Sequence, residues 1–474
     1  MAKEYILPDQ RQAGKRSRNA AENISVSFSA LSQEIGFDKK YFIRTYGCQA
    51  NVRDGETISG MMELMGFERC EDARSADVLI FNTCAIRRAA EEHVLGEIGS
   101  LKRFRQQHPE SVICICGCMA QEEAVVKEVL TRYPQVDMIF GTHNIERLPE
   151  LLQQAMKHEG KVVEVLSHEG RIVEDMPVKR SSSCKGFVNI MFGCNKFCTY
   201  CIVPYTRGKE RSRQKEAILR EIRSLQASGR KEVILLGQNV NAYGRDLGMD
   251  NGFAELLQDC AETGIERIRF YTSHPRDYTS ETIDVMKKYP NIMNSLHLPV
   301  QSGSDAVLKK MNRGYTAEHF LSLVSDMRSR IPDITFTTDL IVGFPTETDA
   351  DFQKTLDLVD QCRFDLAYSF VFSPRSGTPA ARMEDIAPLS VKKERLQILN
   401  ERLSMHASEN NKAYKGEVLK VLCEGPSKKN PDVFSGYSEE NKLVNFTCGH
   451  DCTDTILDVE ITETHSFSLD GKAL

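Results

Sequence analysis

The chain has 474 residues, room for about three domains of ordinary size. Its 61 basic and 67 acidic residues leave a formal charge of −6, so no general polybasic character points to nucleic acid. There is no apolar run long enough for a membrane-spanning helix and no apolar signal-peptide core after Met1, which leads us to expect no membrane partner. Fifteen cysteines without a secretory signal suit a reducing compartment, where thiols bind metals more often than they pair, and the expected location is the cytoplasm.

Residues 1–38 mix Lys3, Arg11, Lys15, Arg16 and Arg18 with Glu4 and Asp9, and read as a flexible, solvated arm. From 39 to 158, the strand-like runs YFIRTYG, ADVLIFNT, SVICICG and VDMIFG alternate with helical periodicity. Ile58, Met61, Met62 and Met65 share one helix face. This βαβ alternation predicts an open, parallel α/β domain. Cys48, Cys84 and Cys118 each end such a run, at the edge where open parallel sheets form their binding crevice. Two readings stand side by side, cysteines that merely close strands and three thiolates that together hold a metal cluster. Cys114 and Cys116 lie inside an apolar strand and read as core. Residues 159–183, polar and containing Pro177 and three successive serines, read as a linker.

Between 184 and 409 six further strand candidates appear, GFVNIMFG, KEVILLG, RIRFYTS, NSLHLPV, ITFTTDLIVG and FDLAYSFVF, with helical stretches between them. They predict a partial (βα)6 version of the α/β barrel, with its chemistry at the C-terminal strand ends. Directly after the first strand come Cys194, Cys198 and Cys201. Structural zinc normally wants four protein ligands, and a cubane iron–sulfur cluster normally takes four cysteines. A compact group of three leaves one iron free to bind a small molecule. Arg207, Lys209, Arg211, Arg213 and Lys215 follow, a solvated helix start or a site for a carboxylate or RNA phosphate.

Residues 411–474 change to short strand-like runs and Gly-containing turns, which predict a small β-barrel of the kind that holds nucleic acid. They carry 7 Lys and no Arg against 11 Asp and Glu, a net of −4, so any RNA contact there must be local. Lys428, Lys429, Lys442, Phe434, Tyr437 and Phe446 are the candidates, with Phe446, inside the strand-like run KLVNF, read more readily as core.

The spacing of Cys194, Cys198 and Cys201, with Tyr200 before the last, resembles the cluster loop of radical S-adenosylmethionine (SAM) enzymes. More widely, YGCQANVRD, NTCAIRRAAEEHV, GCMAQ, GCNKFCTYCIVPYTRG, LLGQNVNAYG, RFYTSHP, LHLPVQSGSD, DLIVGFPTET and SPRSGTPA resemble the methylthiotransferases, from about Tyr41 to the C-terminus. The resemblance implies an α/β protein with an N-terminal methylthiotransferase domain, a central radical-SAM barrel and a C-terminal TRAM barrel. It implies two 4Fe–4S clusters, an auxiliary one on Cys48, Cys84 and Cys118 and the radical-SAM cluster on Cys194, Cys198 and Cys201. Tyr200, Gln238, Asn239, His297, Gln301, Gly343 and Pro345 become candidate SAM contacts, alongside Asn241. Each is also readable as a polar or backbone group closing the barrel mouth, and Asp339 and Glu347 as structural carboxylates. Arg207, Arg211, Arg213, Lys428, Lys429 and Lys442 become candidate RNA contacts.

NTCAIRRAAEEHV, GQNVNAYG and SGYSEENKLVNF are most similar to the subgroup that acts on isopentenylated adenosine. The implied partner is the anticodon stem-loop of tRNA, with an external electron donor and a monomeric enzyme. The implied product is the 2-methylthio derivative of N(6)-isopentenyladenosine. Threonylcarbamoyl-adenosine in tRNA, or a ribosomal-protein aspartate, is the alternative substrate. Two other classes are weighed, a two-cluster electron carrier and a zinc-scaffolded RNA-binding protein. The first has no need of six βα units, and the second would carry zinc in place of iron.

Overall fold

The structure is a computed structural model that describes residues 5–15, 22–25, 34–85, 88–168 and 171–474, the side chains of 88–90 excepted. The chain forms two compact units. The first comprises Met1–Ser181 with Met191–Asn195 and Cys201–Ala217, and the second Ser182–Ile190, Lys196–Tyr200 and Ile218–Leu474.

The first unit is built on a six-stranded, wholly parallel sheet. Its spatial order is Glu68–Arg69, Lys40–Thr45, Val78–Thr83, Val112–Gly117, Met138–Phe140 and Val162–Glu164. The central runs VLIFNT and VICICG are buried at every position, as strands covered by helices on both faces must be. One face packs on Ile58, Met61, Met62 and Met65, and there Cys114 and Cys116 are core, as their setting in the sequence suggests. The other packs on Val94, Ile98, Phe104, Val126 and Val129.

The sheet explains two departures from the sequence reading. The edge strand Val162–Glu164 leaves backbone groups open to a further segment. Ile6 takes them, donating its N–H to Val163 O at 3.0 Å and accepting from Val165 N at 2.8 Å. Asp9 N–H then donates to Ser167 Oγ at 2.8 Å, and the Asp9 side chain caps the short helix Gln10–Ala13. Asn23–Ser25 pairs in parallel with Ile172–Glu174. Residues 5–15 and 22–25 are therefore hydrogen-bonded chain, not a free arm; the rest of the expected arm lies outside the described residues, apart from 34–38. Residues 159–183 likewise contribute two strands where a linker is expected.

In the second unit, Lys185–Asn189, Glu232–Leu236 and Arg267–Phe270 form one parallel sheet, and Ser295–His297, Thr335–Val342 and Leu366–Val371 another. A parallel bridge between Ile268 and Ile292 joins them. All six expected strands are present, and the series runs from Lys185–Asn189 at one edge to Leu366–Val371 at the other, the open (βα)6 arrangement. The run GFVNIMFG is the one that divides. Its parallel pairing stops at Asn189, and Met191–Phe192 pairs antiparallel with Arg211–Ser212 in the first unit.

After the 24-residue helix Leu389–Lys412, five strands close a barrel in the order Val418–Pro426, Phe434–Ser438, Leu443–Thr447, Leu469–Ala473, Ile456–Thr464. Phe446 is 1% exposed in its core and Phe434 stacks on it, so the first is a packing aromatic. Arg267, fully buried, donates to Tyr437 O at 2.9 Å and to Lys420 O at 2.8 Å, which fastens this barrel to the strand Arg267–Phe270. Among the described residues, no helix is long and apolar enough to cross a membrane.

Candidate metal centres

Cys48, Cys84 and Cys118 follow three adjacent parallel strands, Lys40–Thr45, Val78–Thr83 and Val112–Gly117, so the sheet brings their loops to one edge. Gly47 sits between two of them with φ +116°, and a Cβ there would lie 2.6 Å from Cys84 Cβ and 3.0 Å from Cys84 Sγ. Only a residue without a side chain keeps that space. Asn51, fully buried in the first turn of Gln49–Leu64, holds the edge together. Its Oδ1 accepts from Cys48 Sγ at 3.4 Å, and its Nδ2 donates to Thr83 O at 3.0 Å and approaches Cys118 Sγ at 4.0 Å.

Arg207 completes this site. Its Nε donates to Cys118 Sγ at 3.2 Å, and its Nη2 lies 2.6 Å from Asp54 Oδ2 in a close ion pair buried at both ends. Burial works against the guanidinium charge, but Asp54 and Cys118 outweigh it and hold Arg207 firmly protonated. Burial pushes the Cys118 thiol up to about 12, opposed by the Arg207 charge. A buried thiol facing a fixed cation is the setting of a ligand that becomes favourable as thiolate once a metal replaces its proton.

Thiolates around one zinc ion, at about 2.3 Å each, stand about 3.8 Å apart. Among the described residues, the group of three donors within 4.8 Å of one another is Glu463, His465 and Asp470, exposed or half-exposed on the terminal barrel. Neither cysteine triad reaches that spacing.

The second triad is carried by a single loop whose parts are fixed in different ways. In the first unit, Cys194 N donates to Gly208 O at 3.1 Å and Asn195 N to Glu210 Oε1 at 3.0 Å. Ile202, next to Cys201, packs with Ala85 and Cys118. In the second unit, Thr199 N donates to Met311 O and Ala380 N to Thr199 O. Arg313, 6% exposed, donates from Nη1 to Cys198 Sγ at 3.4 Å, from Nη2 to Pro299 O at 2.8 Å and from Nε to Tyr315 Oη at 3.0 Å. Each triad thus has one buried arginine on one of its sulfurs.

The candidate SAM contacts divide into three kinds. Asn239 donates to Asp277 at 2.6 Å, while Asn239 Oδ1, Asn241 Nδ2, Ser273 Oγ and His274 Nε2 are buried without a hydrogen-bond partner. These four atoms lie beyond the ends of Glu232–Leu236 and Arg267–Phe270. Gln238 is partly exposed on the same loop. His297 bonds Thr337 Oγ1 at 2.9 Å and stands 3.5 Å from Asp339. Gln301, at φ +73°, exchanges backbone hydrogen bonds with Asp339 and Ile341. Gly343, at φ +67°, has Lys392 where a Cβ would be, and its N–H donates to Glu347 Oε2 at 2.7 Å, which also accepts from Arg395 at 2.8 Å. Pro345 is buried in the same turn, and Tyr200 packs with Phe344 and Phe372. Glu347 is thus the structural carboxylate.

Sequence reasoning missed the polar hub around Asp277. Its carboxylate receives Lys196 at 2.7 Å, Asn239 at 2.6 Å and Arg245 at 2.8 Å. Burial raises its pKa, but these partners together bring it below the ordinary carboxylate range. His274 is driven down to about 2, first by burial and then by the Arg313 charge, so its imidazole is neutral. The run RFYTSHP was visible, but a motif without geometry does not say which side chains turn inward.

The basic run is corrected at its three arginines. Arg207, Arg211 and Arg213 are each 6% exposed, and Arg213 pairs with Glu174 at 2.7 Å, so these guanidiniums are internal and not RNA contacts. Lys442, 7% exposed, pairs with Asp365 at 2.7 Å for the same reason, and Tyr437 is engaged by Lys185 and Arg269. Lys428 and Lys429 are exposed.

A barrel of six parallel βα units with a three-cysteine loop after its first strand defines a radical-SAM protein, and residues 188–359 match the model of the Radical SAM superfamily. Residues 40–141 match the Uncharacterized protein family UPF0004, and 412–474 the TRAM domain. The chain is 48% identical over 470 residues to a tRNA-2-methylthio-N(6)-dimethylallyladenosine synthase of Bacillus subtilis, covering 99% of this chain and 92% of that protein. It is 49% identical to the protein of that name in Oceanobacillus iheyensis, covering 98% and 90%. This chain belongs to that synthase family. Among solved structures, the radical SAM methyltransferase TsrM of Kitasatospora setae, with cobalamin and a [4Fe-4S] cluster bound, shares the fold at a TM-score of 0.53 and 14% identity, covering 72% of this chain and 73% of that one.

Proposed function

We propose that the protein transfers a methylthio group to carbon 2 of N(6)-isopentenyladenosine beside the tRNA anticodon, the isopentenyl group being the dimethylallyl group of its relatives' name. The observation that carries this reading is the convergence of Cys48, Cys84 and Cys118 behind Gly47, in a chain that matches the synthases along nearly its whole length. Cys194, Cys198 and Cys201 would hold a 4Fe–4S cluster for reductive cleavage of SAM to a 5′-deoxyadenosyl radical, and Cys48, Cys84 and Cys118 a second that carries the sulfur to be methylated and transferred.

The chain's own groups then have definite tasks. Arg207 and Arg313 fix one sulfur of each triad and supply positive charge beside it. Asn239, Asn241, Ser273 and His274 offer the unpaired donors and acceptors for the polar part of SAM. Neutral His274 adds no like charge to the SAM sulfonium. Lys428 and Lys429 remain as local contacts for tRNA phosphates.

The test is anaerobic incubation of the iron-loaded protein with SAM, a reductant and isopentenylated tRNA, followed by nucleoside mass spectrometry. The expected product is 2-methylthio-N(6)-isopentenyladenosine. A methylthio group found instead on threonylcarbamoyl-adenosine, or on a ribosomal-protein aspartate, would overturn the substrate assignment.

A further inference from the structure

The terminal barrel contains a second kind of sulfur site, unrelated to either triad. The strand Val418–Pro426 shifts register between Cys423 and Gly425, where Gly425 takes φ +125°. The shift sets Cys423, fully buried, against Cys452, 2% exposed, and Cys452 Sγ lies 3.5 Å from Cys423 Sγ. Cys448, only partly buried, stands within hydrogen-bonding reach of Cys452. Its Sγ is 3.7 Å from Nδ1 of exposed His450. His450 thus stands beside Cys448, Cys448 beside Cys452 and Cys452 against Cys423, from exposed to buried.

Three cysteines and a histidine are a donor set that zinc accepts, but one ion needs all four atoms around a single point. Among the described residues, these four do not meet the mutual 4.8 Å spacing that Glu463, His465 and Asp470 do. Pairwise neighbours are instead what stepwise thiol–disulfide exchange needs, since each sulfur must reach the next.

We propose that Cys448, Cys452 and Cys423 form a thiol relay that reacts with a low-molecular-weight disulfide and stores its oxidising equivalents as a Cys423–Cys452 disulfide. Cys448 gives its proton to His450 and attacks one sulfur of the small disulfide. That S–S bond breaks, one small thiol leaves, and a mixed disulfide forms on Cys448. The Cys452 sulfur then attacks Cys448, its proton passing to the second small thiol as that leaves, and a Cys448–Cys452 bond forms. Cys423 attacks Cys452 in turn, its proton passing to the departing Cys448 sulfur, which returns as a thiol; burial holds both inner thiols protonated until these steps. Two protein thiols are oxidised by two electrons, and one small disulfide is reduced to two thiols. The new bond ties Val418–Pro426 covalently to the segment between Leu443–Thr447 and Ile456–Thr464. There Cys423 N already donates to Thr455 O at 2.9 Å and Asp454 N to Cys423 O at 3.0 Å.

The experiment treats the full-length, iron-loaded protein anaerobically with glutathione disulfide, blocks remaining thiols with N-ethylmaleimide and maps the peptides by mass spectrometry. Peptides linked through Cys423 and Cys452 are expected, with iron content unchanged. Cys448→Ser, at a partly exposed position, should slow their appearance by about tenfold or more without altering the melting temperature. In Cys423→Ser the oxidation should halt at a Cys448–Cys452 bond. Persistent free thiols at Cys423 and Cys452 in the treated wild type would overturn the relay, as would an undiminished rate in Cys448→Ser. Stoichiometric zinc that is lost in Cys448→Ser would replace the relay by a metal site.

Discussion

The two cysteine triads are assembled by opposite routes. Cys194, Cys198 and Cys201 stand within one short loop, so their nearness is a property of covalent sequence. Cys48, Cys84 and Cys118 are spread over 71 residues of sequence positions 48–118, and only the parallel pairing of three strands brings them to one edge. The loop triad can be read from spacing alone, whereas the sheet triad exists only if the domain folds. The arginine on each site shows the same division. Arg207 is anchored by a buried carboxylate, Asp54, and Arg313 by a backbone carbonyl and a tyrosine hydroxyl.

The largest effects should come from removing either triad. Changing Cys194, Cys198 and Cys201 together to Ala should remove about half the iron and abolish SAM cleavage, if each triad holds one cluster. The same change at Cys48, Cys84 and Cys118 should leave SAM cleavage measurable and give no methylthio product. Iron analysis, 5′-deoxyadenosine release and nucleoside mass spectrometry check all three statements. A first-domain variant that still makes methylthiolated tRNA would erase the functional contrast between the triads.

A subtler break is Gly47→Ala. The left-handed backbone costs a side chain about 1–2 kcal/mol, and the added Cβ would press on Cys84 besides. The first cluster's iron should be lost or diminished while the loop cluster keeps its spectroscopic signature. Retention of all iron in a folded Gly47→Ala protein would show that the cradle is wider than Gly47 suggests.

The arginines should differ in cost. Arg207→Gln leaves Asp54 buried without its cation, a loss of about 3–5 kcal/mol. Arg313→Gln loses hydrogen bonds but strands no opposite charge, so about 1–3 kcal/mol is expected. Denaturant unfolding of the two metal-free variants measures both, and equal losses would contradict the anchoring described.

The same division explains what was legible in the sequence. Six βα units, the terminal barrel and the loop triad follow from periodicity and spacing, which are local. Partnership is not local. The run from Arg207 to Arg213 looks like a solvated cationic stretch, and nothing in it announces Asp54, Cys118 or Glu174 as its internal partners. Lys442 misleads in the same way through Asp365, and the arm through the open edge of Val162–Glu164. Ser273, His274 and Asp277 lay inside a quoted motif, yet only the fold shows that His274 and Ser273 present unpaired atoms beside Asn239 and Asn241.

The smallest expected effect lies at His274, beside the loop triad's Arg313. Its folded pKa is near 2, far below the ordinary value of 6.5, because burial and the Arg313 charge oppose protonation. Between those values the unfolded chain binds a proton at this residue and the folded chain does not. Stability from this group is therefore complete above about pH 6.5 and falls as the pH is lowered through that value, by up to about 1.4 kcal/mol per pH unit. The His274→Gln variant keeps a polar group of similar reach but has nothing to titrate. Unfolding of the metal-free proteins between about pH 5 and 7 should show a steeper decline in the wild type than in the variant, by up to that slope. Parallel curves would mean that His274 is charged in the folded protein, and it would then be unfit to lie against the sulfonium of SAM.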